Sequence, residues 1–130
     1  MFMDTPLEIK VIEKFIQKNK QDRFKQFLQS PKTRKKFTDE LHHFKYLKWD
    51  LFEELQRDEY GIISRVFNES NRAGCYAISV DKSIDQKFLT LDQALELIDS
   101  DRPTILVFGE AERILYEGEP PKNRFLSKII

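Results

Sequence analysis

A chain of 130 residues is the size of one domain and can bury enough surface for one core, and eleven Phe, four Tyr and one Trp exclude a disordered chain. The single cysteine, Cys75, excludes an internal disulfide, no run of 18 apolar residues is present to span a membrane, and the opening Met1-Phe2-Met3-Asp4 lacks the pattern of a secretion signal, so the expected setting is cytoplasmic. The net charge of zero hides an asymmetry: residues 10 to 48 carry twelve Lys or Arg against four Asp or Glu, whereas residues 49 to 120 carry seven against sixteen.

Thr5-Pro6-Leu7-Glu8 is a helix start, with a hydroxyl cap, proline where its missing N–H does no harm, and glutamate placed to close a capping box. Leu7, Val11, Ile12, Phe15 and Ile16 follow at helical spacing and give a broad apolar face. Asp22 is a candidate cap for a short second helix holding Phe24, Phe27 and Leu28. Ser30-Pro31 repeats the cap-then-proline signature, and Phe37, Leu41 and Phe44 form the stripe of a third helix. Beyond Phe44 the spacing is ambiguous. Asp50 and Glu53 can cap a new helix, or Leu47, Leu51 and Leu55 can continue the old one, and a bend near Trp49 is favoured. Residues 62 to 67 extend that helix or start a strand, and Asn68 to Gly74 is a polar loop and the best internal seam.

From residue 75 the character changes to strands. Cys75 to Val80 is rich in β-formers, with Tyr76, Ile78 and Val80 on one face, and ends in a polar turn at Asp81 to Asp85. Thr90 and Gln93 form a capping box for a helix over 91–99. Thr104 to Phe108 is a continuous apolar run, as for a strand covered on both sides, and makes a hairpin with Arg113 to Glu117, while residues 125–130 add a final strand. The expected fold is therefore α+β: one domain over 1–130, with a helical subregion at 1–68 packed with a small antiparallel sheet of three to four strands and one helix at 75–130.

The third helix concentrates the candidates for function. With Phe37 set at zero and about 100 degrees per residue, Lys32, Lys35, Lys36, Asp39, His42, His43 and Tyr46 fall between about 140 and 260 degrees, opposite the core. A face of Lys32, Arg34, Lys35, Lys36, Lys45 and Lys48, with Trp49 or Tyr46 to stack on bases, suits phosphates. The cations in its first two turns oppose the helix dipole, which an anionic partner relieves. Against this, Lys35 with Asp39 and Lys36 with Glu40 are ordinary i, i+4 pairs, and the acidic half can neutralise the basic one.

Adjacent His42 and His43 diverge on a helix and share no metal ion, so no metal or cofactor is expected. Cys75 has no evident base, and no nucleophile elbow, P-loop or dinucleotide fingerprint is present. The turn at Asp81 to Asp85 lacks the alternating oxygens, glycine and distal Glu of a calcium loop. Glu110, Glu112, Glu117 and Glu119 can serve a carboxylate-dependent enzyme or simply protect sheet edges. With no catalytic residues assigned, the expected function is non-enzymatic binding of another protein. Nucleic-acid binding at residues 32–48 is the first alternative and the carboxylate enzyme the second.

Overall fold

A computed structural model of the chain describes residues 5–43, 45–55, 74–98, 102–118 and 124–127. Four α-helices are present among them: α1 (Thr5–Phe15), α2 (Gln21–Phe27), α3 (Pro31–Glu40) and α4 (Leu91–Leu97). Six strands, β1 (Phe52–Leu55), β2 (Cys75–Ser79), β3 (Phe88–Leu89), β4 (Thr104–Phe108), β5 (Arg113–Glu117) and β6 (Arg124–Ser127), form one antiparallel sheet in the order β1-β6-β5-β4-β2-β3. The fold is mixed α+β.

Two of these strands lie outside the three to four expected. β1 forms where a helix or a bend was expected, because its segment gains a full ladder with β6, Phe52 opposite Ser127 through Leu55 opposite Arg124. The leucines that suggested helix are used otherwise: Leu47 bridges Ile16, and Leu51 ends a 3-10 turn over Trp49–Leu51. Helix-like spacing over so short a run cannot outvote tertiary pairing. β3 is only two residues long and carries no alternation to detect. The seam expected at 68–74 lies outside the described residues except for Gly74. β1 lies within the 1–68 subregion that was expected to be helical.

The helix starts follow local chemistry in two of four cases. Ser30 Oγ accepts the Thr33 N–H at 3.2 Å ahead of Pro31, and Thr90 and Gln93 close a reciprocal capping box. Asp22 does not cap α2; it sits within the first turn, and the cap position is Lys20, without a side-chain bond. Glu8 is buried, its carboxylate held by other partners, so the expected capping box at α1 gives way to a tertiary contact.

The central strands are covered on both faces, as the apolar run in β4 predicted. Tyr76, Ile78, Ile105, Val107, Ile114 and Tyr116 face a cluster with Leu7, Val11, Ile12, Phe15, Phe24 and Phe37. Cys75, Ala77, Leu106, Phe108 and Leu115 turn the other way, against Ala94 with Leu91 and Leu95 of α4. The period of two therefore delivers alternate residues to two cores. Buried tyrosines stitch the first of them: Tyr76 Oη donates to Glu8 at 2.7 Å, and Tyr116 Oη donates to the Leu41 carbonyl at 2.5 Å. No helix among the described residues is long and apolar enough to cross a membrane.

Candidate functional site

Arg34 is the one candidate cation that the fold takes inside. Its Nε and Nη2 donate to Glu8 at 3.0 and 2.7 Å, while Nη1 and Nη2 donate to Asp85 at 2.6 and 3.0 Å. The planar guanidinium thus joins α1, α3 and the turn after β2 through two forked contacts. Asp85 also accepts the Ser79 N–H at 2.9 Å. Burial pushes the Arg34 pKa down, but its hydrogen bonds and charge attraction to Glu8 and Asp85 outweigh that and raise it. Arg34 is therefore not part of an exposed basic face.

The other candidates stay outside. Lys32, Lys35, Lys36 and Lys45 are exposed, and Lys48 is half-buried. Lys35 reaches Asp39 at 3.5 Å, a solvent-exposed i, i+4 pair. The structure brings Lys32, Lys35 and Lys36 together on α3, whereas Lys45 and Lys48 lie on the extended segment that pairs with the end of α1 through Lys48 N and Phe15 O. Trp49 is half-buried, 5.0 Å from the Phe125 ring and 6.0 Å from Phe52, so much of its surface is committed to packing. Sequence reading missed three further cations: Lys14 lies 5.7 Å over the Phe15 ring, Lys20 5.1 Å over Tyr46 and Arg23 5.5 Å over Phe27.

A groove of about 890 Å³ opens beside the Arg34 clasp, lined by Ser30, Lys35, Thr38, Lys82 and Asp85 among others. A second cavity, about 410 Å³, lies at the other end of β2 between Gly74, Tyr76, Phe88, Leu89 and Val107. Phe88 and Leu97 are the exposed large hydrophobic residues among those described, Phe88 at 58%.

Among the described residues the acids do not converge, and Glu119 lies outside those residues. Glu110 and Glu112 are exposed at the β4–β5 turn, where Glu112 accepts the Glu110 N–H, and Glu117 is buried against Arg124 across β5 and β6. Asp81 accepts from the Ser83 N–H and Oγ within its own turn. No group of three His, Cys, Asp or Glu among the described residues could hold a metal ion. Burial pushes the Cys75 thiol up to about 12, which leaves it protonated and a poor nucleophile at neutral pH. Compared with protein-family models, with curated proteins and with solved structures, the chain finds no match.

Proposed function

We propose that this protein is a non-enzymatic binding module of the cytoplasm, folded as one unit, whose partner is an acidic protein engaged through the basic outer face of the helical layer. One observation carries the reading. Among the described residues, the ion pairs joining the basic half to the acidic half are Arg34 with Asp85 and Lys10 with Glu110. Lys25 and Lys35 pair with Glu13 and Asp39 within the basic half itself, and Lys32 and Lys36 have no ion-pair partner among the described residues. A surface of one sign steers an oppositely charged partner and raises its association rate.

The second reading is nucleic acid, for which Tyr46, half-buried with Lys20 over its ring, supplies an aromatic element beside the cations. Fluorescence anisotropy with labelled poly-glutamate, single-stranded RNA and duplex DNA at about 50 and 200 mM salt separates the two. Binding of poly-glutamate that weakens with salt and is lost in a Lys32→Glu, Lys36→Glu variant supports the acidic-protein reading. Tighter binding of either nucleic acid transfers the site to the second reading, and no binding of any probe at the lower salt ends both.

A further inference from the structure

Among the described residues the sheet ends at two strands of opposite character, β1 and β3. At β1 the edge is guarded by Glu53 and Glu54, both exposed, a familiar defence against stray pairing. The β3 edge carries a single charge of the opposite sign: its segment reads Gln86-Lys87-Phe88-Leu89-Thr90, with Lys87 and Phe88 exposed and no acid.

The backbone at β3 is set to accept a strand. Gln86, at φ 64, donates its N–H to the Ala77 carbonyl at 2.8 Å, and Ala77 N–H donates to Lys87 O at 2.9 Å. This is a bulge with its first residue in the left-handed region, and it fixes the register of Phe88 and Leu89 against β2. Tyr76 then lies opposite Phe88 and Cys75 opposite Leu89. Because bonded and non-bonded residues alternate along an antiparallel ladder, the Phe88 N–H and C=O point away from β2, toward the side of β3 that no other described strand occupies. Its ring meets that of Tyr76 at 4.9 Å with a tilt of 53° and forms one wall of the 410 Å³ cavity, beside Leu89, Val107 and Cys75. Gly74 keeps that corner tight: a Cβ there would stand 2.6 Å from the Leu89 carbonyl oxygen.

We propose that β3 is a docking edge for an extended segment of a partner protein, one that carries a bulky apolar side chain for the cavity and an acidic residue for Lys87. The main-chain groups of Phe88 supply the hydrogen bonds of strand addition, the cavity selects the apolar side chain, and Lys87 selects the sign of its neighbour. A second copy of the chain is the rival occupant, since its β1 edge is acidic, but that pairing is heterologous and would build rings or open filaments rather than a two-fold dimer. The site stands apart from the basic helical face, and either can fail without the other.

The test uses the full chain labelled with nitrogen-15, titrated with capped Glu-Thr-Leu-Thr-Glu, with its Lys-for-Glu counterpart and with its Ala-for-Leu counterpart. Amide shifts centred on residues 86–90, an affinity lowered roughly tenfold or more by Ala, and weaker binding of the Lys peptide support the proposal. Phe88→Asp, at an exposed position, abolishes those shifts while leaving the rest of the spectrum in place. Lys87→Glu reverses the preference between the Glu and Lys peptides. Shifts away from β3, equal binding of all three peptides, or β3 shifts that track protein concentration without peptide each overturn it, the last by showing that a second copy is the occupant.

Discussion

Glu8 and Arg34 are charged side chains that the fold buries against each other, with Asp85 held by the same guanidinium. Glu8 shares its helical stripe with Ile12 and Phe15 at i+4 and i+7, and Arg34 shares one with Phe37 and Leu41 at i+3 and i+7. A charge on each of two apolar stripes foretells a buried pair, a signal that grouping Arg34 with its lysine neighbours conceals. Asp85 could not be foreseen, because nothing local places a turn of the sheet against α3. Arg34→Ala leaves two carboxylates buried together and is expected to lower stability by about 3–5 kcal/mol, read as a fall in the urea midpoint. Arg34→Lys is expected to recover only a minor part of this, since an ammonium cannot serve two carboxylate forks. Cys75 is expected to resist a disulfide reagent in the native protein at pH 8 and to react on unfolding, as its raised pKa and burial imply. At Asp81 desolvation pushes the pKa up, but the Ser83 donors and the positive charges of Arg102 and Lys87 outweigh it and the net shift is downward. A carboxylate with a depressed folded pKa contributes stability that is present above its unfolded value of about 4 and is lost as pH falls through the folded one. The stability difference between the wild type and Asp81→Asn is therefore expected at pH 6 and should shrink as the pH is taken below about 4; a difference that grows toward acid would contradict the assignment.

Elements whose boundaries rest on local chemistry were legible, and those that exist only through pairing were not. Ser30 and Thr90 each announce a helix by a hydroxyl that bonds the N–H three residues on, and both caps are present. The hairpin of β4 and β5 comes from two apolar runs around a four-residue turn, and its register, Thr104 opposite Glu117 through Phe108 opposite Arg113, is regular. β1 and β3 hold their extended form by lending backbone bonds to β6 and β2, which no window of sequence reveals. The cation face was legible as composition, and the seat of Arg23 on Phe27 is an i, i+4 pair within α2, whereas the seat of Lys20 on Tyr46 depends on the segment after α3 returning beside the turn ahead of α2. Ser30→Ala and Thr90→Ala are each expected to lower stability by about 0.5–2 kcal/mol. The caps serve separate helices and share no partner, so the double variant is expected to show the sum of the two within about 0.5 kcal/mol. Chemical denaturation of the three variants checks this, and a marked excess in the double variant would mean that α3 and α4 communicate through the sheet.

At the scale of the whole molecule, charge and stability are held by different groups. The ion pairs that fasten the fold, Arg34 with Glu8 and Asp85 and Arg124 with Glu117, are largely buried, while Lys10 with Glu110, Lys25 with Glu13 and Lys35 with Asp39 lie substantially in solvent. Exposed pairs contribute little to folding and are screened within about 8–10 Å at physiological salt, whereas buried ones are screened far less. The cations not spent on such pairs add to the potential of the helical surface, where an anionic partner would feel them at long range. Stability and binding are therefore expected to part company as ionic strength rises. Between about 50 and 200 mM salt the thermal midpoint is expected to move by no more than a few degrees, while association with an acidic probe falls steeply, mainly through a slower on-rate. Scanning calorimetry and stopped-flow association on the same samples measure the two responses together. A midpoint that falls in step with the association rate would mean that the basic and acidic halves hold each other together after all, and that the helical face is an internal contact rather than a surface offered to a partner.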